Sequence, residues 1–197
     1  MKKIAFFDFD GTITTKDTML ELIKFQKGTA GFYAGFFVNS PSLIAYKLKL
    51  ISNQAAKEHV LKYFFKGTPL PGFQQGCDEF AEMLLPSLIR PGALAEIAEL
   101  KAKGFEVVIV SASAENWIQK WCSEAGVKLL ASKLETRDGQ LTGNLNGQNC
   151  HGEEKVCRIN AAYDLSAYEE IYCYGDTSGD KPMLAIGTKI FYKPFRQ

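Results

Sequence analysis

The chain has 197 residues, of which 46% are hydrophobic and 23% are charged, and its formal net charge is +1. This length suffices for one sizeable core with a small inserted subdomain, and the composition excludes a disordered or fibrous chain. The near-neutral charge provides no overall field that would attract nucleic acid, so we predict no nucleic-acid partner.

The first predicted element is a buried strand, and a helical region follows it. Residues 3–9 are largely apolar and run into Asp10-Gly11-Thr12, which is a tight-turn sequence. From Thr18 to Leu85 apolar residues recur at helical spacing without strand-like alternation, and the last helix there is predicted near residues 75–84. We therefore predict an all-helical cap at 15–85, inserted into a core formed by 1–14 and 86–197.

Helices and strands alternate through the rest of the chain. A helix opens at Pro91, and residues 105–110 form a nearly unbroken apolar strand, as in a parallel sheet covered on both faces. Further elements are predicted as a helix at 114–125, a strand at 127–131, a hairpin at 134–145, a helix at 153–163, a strand at 171–174, a helix at 181–186 and a strand at 189–192. This order predicts an α/β fold, namely a doubly wound parallel sheet with an inserted all-helical cap and a small β-hairpin.

The cysteines and the apolar runs indicate a cytoplasmic protein. The cysteines are odd in number and none forms a CxxC pair: Cys77, Cys122, Cys150, Cys157 and Cys173. A disulfide framework or zinc site is therefore disfavoured. The N-terminal apolar run ends at Asp8, too early for a signal peptide, and the stretch 31–38 is interrupted before it reaches spanning length. We predict no transmembrane segment, and no pattern specifies an oligomeric state.

Polar residues follow the predicted strands at Asp8, Ser111 and Asp176. Ligands of open α/β sheets bind outside the carboxyl ends of the strands, so we expect these residues to converge. Asp8 is a candidate nucleophile able to form an aspartyl-phosphate, and Asp10 is a candidate general acid and base. Two aspartates in an ordinary surface turn are the simpler alternative.

The segment after the strand at 171–174 supplies candidate metal ligands. Carboxylates such as Asp176 and Asp180 suit Mg²⁺, which prefers oxygen ligands and retains waters. The simpler alternative for Asp180 is that it caps the helix beginning at Lys181.

Candidate phosphate-binding groups come from three segments. They are the Ser111 hydroxyl, the backbone N–H groups of Ala112, Gly11 and Thr12, and the Lys155 ammonium. Ser111 as a helix N-cap and Lys155 as a solvated surface lysine are the simpler alternatives.

When these signals are considered together, the sequence resembles the haloacid dehalogenase-like hydrolase superfamily. The match covers nearly the whole chain. The first motif, DxDG[ST], is present at residues 8–12, and the strand-terminal serine is Ser111. The helix-borne lysine is Lys155, and the GDxxxD motif lies at 175–180. The resemblance implies that Asp8 attacks phosphorus and Asp10 transfers protons.

The same resemblance implies the metal ligands and the reaction type. Mg²⁺ would be bound by Asp8, Asp176 and the Asp10 carbonyl, while Asp180 supports the metal or orients Lys155. Superfamily members that cleave carbon–halogen bonds lack a carboxylate at the position of Asp10. Phosphoester hydrolysis is therefore favoured over dehalogenation.

The helical insertion resembles the phosphoserine-phosphatase-like subgroup, known as subfamily IB. Asp17 stands where phosphoserine phosphatases carry a glutamate for the substrate amine, so it is a candidate head-group contact. Gly179 departs from the asparagine that is typical there. The Gly-x-Glu-Lys-Val segment at 152–156 also resembles a branch of bacterial phosphatases that act on a lipid head-group phosphate.

The predicted cap is rich in aromatic residues: Phe32, Tyr33, Phe36, Phe37, Tyr46, Tyr63, Phe64 and Phe65. We expect them to pack within the protein, and contact with a lipid-like substrate is the alternative. The expected substrate is thus a small or lipid-derived phosphoester. A phosphoacceptor regulator, a non-catalytic phosphate-binding protein and a phosphomutase remain as other readings.

Overall fold

A computed structural model describes residues 2–196, so Met1 and Gln197, the outer limits of the predicted core, lie outside the described residues. The strands are β1 (Lys2–Phe7), β2 (Phe105–Ala114), β3 (Lys128–Ser132), β4 (Leu134–Arg137), β5 (Gln140–Leu145), β6 (Tyr168–Gly175) and β7 (Lys189–Tyr192). The helices are α1 (Thr18–Lys47), α2 (Asn53–Phe65), α3 (Leu70–Met83), α4 (Leu85–Leu88), α5 (Pro91–Ala102), α6 (Glu115–Ala125), α7 (Glu153–Ala162) and α8 (Lys181–Ala185). Short 3₁₀ turns lie at Leu165–Ala167 and Ser178–Asp180.

Five parallel strands form the central sheet in the order β3-β2-β1-β6-β7, and β4 and β5 form a separate antiparallel hairpin. β1 is buried on both faces. Ala5 and Phe7 belong to the apolar cluster on one side, and Ile4 and Phe6 belong to the cluster on the other. Burial on both faces explains the continuous apolar run of this strand, and the predicted α/β fold is confirmed.

Several predicted boundaries differ from the structure: β1 ends at Phe7, before the predicted 9, and β6 begins at Tyr168, before the predicted 171. α3 begins at Leu70, before the predicted 75, because Pro71 lies in its first turn, where the missing N–H costs no helical hydrogen bond. β2 continues to Ala114, beyond the predicted end at Val110. α1 is interrupted at Gly28, whose φ of 72° and ψ of 167° are not helical.

The hairpin is joined to the helical region by backbone hydrogen bonds. Gly67 N donates to Leu141 O at 2.8 Å, and Leu141 N returns a bond to Thr68 O at 3.0 Å. Leu70 N donates to Gly139 O at 2.9 Å. The connection between α2 and α3 therefore forms a short ladder with β5.

Candidate active site

The DxDG[ST] motif at 8–12 and the GDxxxD motif at 175–180 meet because β1 and β6 are neighbours that end at the same edge of the sheet. Phe7 pairs with Tyr174 in register, and the Asp8 amide donates to the Tyr174 carbonyl at 2.9 Å. Asp8 follows β1 and Asp176 follows β6. The topology thus brings together carboxylates that are distant in sequence.

Lys155, on α7, links the two acidic segments. Its ammonium donates to Asp8 Oδ1 at 2.6 Å, to Asp180 Oδ1 at 2.8 Å and to the Val110 carbonyl at 2.8 Å. Lys155, Asp8 and Asp180 are all buried. Since the three N–H groups of the ammonium are all used, the alternative of a solvated surface lysine is wrong.

Burial and charge act in opposite directions on these groups. Burial raises the pKa of Asp8 to about 7, against the lowering effect of Lys155. Burial also raises the pKa of Asp180, but Lys155 and the Thr177 donors outweigh it and hold the pKa below its usual range. Burial would lower the pKa of Lys155, yet the charges of Asp8 and Asp180 raise it above its ordinary value. Lys155 is therefore positively charged at neutral pH.

Thr12 and Gly11 orient the carboxylates. The Thr12 hydroxyl donates to Asp8 Oδ2 at 2.9 Å and lies 3.3 Å from Asp176 Oδ1. Gly11 has a φ of 82°, and a Cβ there would lie 2.6 Å from Asp176 Oδ2. Position 11 therefore requires glycine both for its left-handed backbone and for the close approach of Asp176.

The simpler interpretation of Asp180 as a helix cap is wrong for its side chain. Asp180 Oδ2 accepts hydrogen bonds from the Asp176 amide at 3.1 Å and from the Thr177 amide and hydroxyl, both at 2.9 Å. These bonds close the loop before α8, and no side-chain hydrogen bond caps that helix. Asp180 therefore fixes both Lys155 and the Asp176 loop.

Ser111 lies inside β2, so it neither follows the strand nor caps a helix as expected. The strand continues because β2 still pairs with β3 at this point, Ser111 opposite Ala131. The buried Ser111 hydroxyl accepts the Ser113 amide at 3.0 Å. Ala112 and Ser113 line the adjacent cleft.

Asp10 is held by groups that the sequence reasoning missed. Its Oδ1 accepts the amide and the hydroxyl of Thr18, both at 2.7 Å, and its Oδ2 accepts the Ser113 hydroxyl at 2.6 Å. Trp117 Nε1 in turn donates to the Thr18 hydroxyl oxygen at 3.1 Å. Only the packing of α1 against the end of β2 and the start of α6 creates this arrangement, and no local motif signals it.

A cleft of about 310 Å³ lies beside Asp8 and Asp10. Asp17, on its wall, caps α1 by accepting the Leu20 amide at 3.0 Å. The residue is exposed, but the protein atoms around its carboxylate and the charge of Asp10 raise the pKa of Asp17 to about 6. Lys57, from α2, lines the same cleft and donates to the Ala112 carbonyl at 2.7 Å. The cleft thus presents one acidic and one basic group in addition to Asp8, Asp10 and Lys155.

His151 and Gly179 are complementary in shape on the cleft wall. A Cβ at position 179 would lie 2.3 Å from His151 Nε2. Burial and the charge of Lys155 lower the pKa of His151, which favours the neutral ring. The glycine that departs from the subgroup pattern is therefore the residue that leaves room for this imidazole.

The acidic cluster fits a divalent cation. One carboxylate oxygen from each of Asp8, Asp176 and Asp180 lies within 4.8 Å of the others. Burial and the charge of Asp180 raise the pKa of Asp176, although Arg196 Nη2 lies 2.5 Å from its Oδ2. The all-oxygen donor set and the excess of negative charge suit Mg²⁺. Asp180 accepts four hydrogen bonds from protein donors, whereas Asp8 and Asp176 accept two each, so Asp8 and Asp176 are the better candidate ligands.

Comparison with known proteins agrees with this geometry. The family profile described as haloacid dehalogenase-like hydrolase matches residues 5–185. Protein CicA of Caulobacter vibrioides is 35% identical over 192 residues, covering 96% of this chain and 85% of the relative. A phosphoserine phosphatase of Methanocaldococcus jannaschii is 27% identical over 199 residues, covering 97% and 85%.

Solved structures show the same fold. A Bordetella pertussis Tohama I protein of unknown function superposes with a TM-score of 0.83 at 23% identity, covering 95% of this chain and 88% of that chain. A phospho-aspartyl intermediate analogue of phosphoserine phosphatase gives a TM-score of 0.69 at 19% identity, covering 94% and 83%. The predicted resemblance is confirmed, and the chain belongs to the haloacid dehalogenase-like hydrolase family.

Proposed function

We propose that this hydrolase is a Mg²⁺-dependent phosphomonoesterase that forms an aspartyl-phosphate on Asp8. The observation that carries the proposal is the buried Asp8–Lys155–Asp180 array beside an Asp10 carboxylate fixed by three donors. One group can then accept phosphorus while a separate group transfers protons. Mg²⁺ held by Asp8, Asp176 and the Asp10 carbonyl would reduce the repulsion between Asp8 and a dianionic phosphate.

In the first half-reaction, an Asp8 carboxylate oxygen forms a bond to phosphorus. The bond between phosphorus and the leaving oxygen breaks, and Asp10 donates its proton to that oxygen. Lys155 and the backbone N–H groups of Gly11, Thr12 and Ala112, together with the Ser111 hydroxyl, are the proposed partners of the phosphoryl oxygens.

In the second half-reaction, the ionised Asp10 takes a proton from water. The water oxygen bonds to phosphorus, and the bond between phosphorus and Asp8 breaks. Inorganic phosphate leaves, and both aspartates return to their starting protonation states. The hydrogen bonds from Thr18 and Ser113 keep Asp10 in place for both proton transfers.

The proposed substrate is a small phosphoester such as phosphoserine or a lipid head-group phosphate. Asp17 and Lys57 support this class because they offer opposite charges on the cleft wall. Residues 15–85 would then act as the cap that selects the leaving group. Among residues 2–196 no helix combines the length and apolar character needed to cross a bilayer. The free cysteines are consistent with the reducing cytoplasm, which we propose as the compartment.

The test is phosphate release from phosphoserine, sugar phosphates, nucleotides and lipid head-group phosphates, with Mg²⁺ or with EDTA. We expect Mg²⁺-dependent turnover that Asp8→Asn abolishes. Asp138→Asn in the hairpin turn is the matched control and should leave turnover unchanged. Full turnover by Asp8→Asn would refute the mechanism, and a protein that is phosphorylated once and then stalls would be a phosphoacceptor instead.

A further inference from the structure

The second half of α1 carries apolar residues both where it packs against the protein and on its exposed surface. Phe32, Phe36 and Leu43 pack against the core. On the opposite side the exposed apolar residues recur at helical spacing and continue into the following turn: Tyr33, Phe37, Val38, Ile44, Leu48 and Leu50. Large apolar side chains on the exposed surface of a helix, in addition to those facing the core, indicate contact with a further apolar environment.

These six residues are half of the twelve large hydrophobic residues that are exposed in the described part of the chain. Phe37 is 81% exposed and Leu48 is 64% exposed, so most of each side chain is accessible to solvent. Scattered single apolar residues are normal on a surface, but contiguous groups mark sites of interaction. We define the cap face as the six residues Tyr33, Phe37, Val38, Ile44, Leu48 and Leu50 together with Lys47 and Lys49.

The charge around the cap face is of one sign. No aspartate or glutamate occurs between Glu21 and Glu58, whereas lysines occur at 24, 27, 47, 49 and 57. The whole chain has a net charge of only +1, so this positive charge is confined to one region. Lys47 and Lys49 alternate with Tyr46, Leu48 and Leu50 in the exposed turn.

The cap face adjoins the active-site cleft. Tyr46 is 39% exposed, lies in the same turn, and also lines the cleft that contains Asp8 and Asp10. Asn53 Nδ2 donates to its hydroxyl at 3.1 Å, which fixes the ring at the cleft mouth. A surface that docked on the cap face would therefore sit beside the entrance to the catalytic centre.

We propose that the cap face docks on an anionic lipid membrane, with its apolar side chains entering the interface and its lysines contacting lipid phosphates. Apolar area combined with basic charge is the pairing that holds amphipathic helices on such surfaces. A second copy of the chain fits less well. A two-fold interface would bring two copies of this positively charged face together, and no aspartate or glutamate between Glu21 and Glu58 would offset that charge.

The test is co-sedimentation of the full chain with vesicles of phosphatidylcholine containing about 30% phosphatidylglycerol, compared with pure phosphatidylcholine. We expect binding to the anionic vesicles only. The double variant Phe37→Asn with Leu48→Asn, and the double variant Lys47→Gln with Lys49→Gln, should each weaken binding about tenfold or more. Met83→Asn is the matched control, since Met83 is 73% exposed on α3 among acidic neighbours.

Hydrolysis of soluble p-nitrophenyl phosphate in the same samples separates this proposal from the proposed function. Unchanged hydrolysis with lost vesicle binding supports docking through the cap face, whether or not the natural substrate is a lipid. Equal binding by wild type and both double variants would overturn the proposal. So would a failure of the wild type to bind anionic vesicles, or dimerisation that the Phe37 and Leu48 substitutions abolish.

Discussion

Replacing Lys155 with methionine tests the electrostatic organisation of the site. Methionine has a similar length but carries no charge, so it leaves Asp8 and Asp180 buried without their common partner. Breaking a buried ion pair by removing one partner costs about 3–5 kcal/mol. We therefore expect the variant to lose about 3–5 kcal/mol of unfolding free energy at pH 8 in EDTA.

The loss should depend on pH, and its direction follows from the carboxylates. The pKa of Asp8 is already raised from 3.8 to about 7, and removal of Lys155 raises it further. A carboxyl with a raised folded-state pKa destabilises the protein above that pKa, and this cost disappears as the pH falls towards 3.8. The stabilisation of ionised Asp180 by Lys155 is also lost at low pH. The difference between variant and wild type should therefore shrink at about pH 5.

The assay is urea unfolding followed by far-UV circular dichroism at both pH values. Lys133→Met is the matched control, because Lys133 forms only an exposed ion pair with Glu115 at 3.7 Å. It should cost less than about 1 kcal/mol at either pH. A loss for Lys155→Met that is as small as that of the control, or that is equal at both pH values, would refute the reasoning.

Three further predictions concern the metal, the thiols and the cleft wall. Mg²⁺ at a hundredfold excess over its Kd should stabilise the wild type by about 2.7 kcal/mol, and Asp176→Asn should show little of this gain; equal gains would remove Asp176 from the ligand set. Ellman's reagent should modify one thiol rapidly in the native protein, because only Cys157 among the cysteines is exposed. Cys157→Ser should abolish that phase, and persistence of a fast thiol would contradict the burial of the others. Gly179→Ala should destabilise the protein by about 1 kcal/mol through the clash with His151, and adding His151→Ala should restore stability in thermal melts. Failure of that rescue would show that the glycine is needed for another reason.

The sequence was sufficient for the order of the core elements and for the principal acidic and basic groups. Strands such as β1 are buried on both faces, so their apolar runs are unbroken. Asp8 and Asp176 directly follow neighbouring parallel strands, so the topology brings them together. The extent of β2 was missed because its continuation depends on pairing with β3, which is a tertiary effect.

The sequence could predict neither the hydrogen-bond partners of Asp10 nor which aromatic residues of the cap are buried and which are exposed. Thr18 and Ser113 are separated by 95 positions, yet their hydroxyl oxygens lie 3.0 Å apart. In α1 both sides of the helix are apolar, so periodicity alone cannot say that Phe36 packs inward while Phe37 is exposed. Three-dimensional packing decides both points.

The ladder between β5 and the connection from α2 to α3 joins the hairpin to the helical region. Gly143 allows β5 to pack closely against α2, since a Cβ at this position would lie 2.5 Å from Lys62 Cα. The hairpin and the helices should therefore move as one rigid body over the sheet. We expect any bending to concentrate where the chain passes between these elements and the sheet, near residues 14–18 and 88–90 and on either side of the hairpin. Four chain segments, rather than the two that flank the helical insertion alone, would then restrain such a movement.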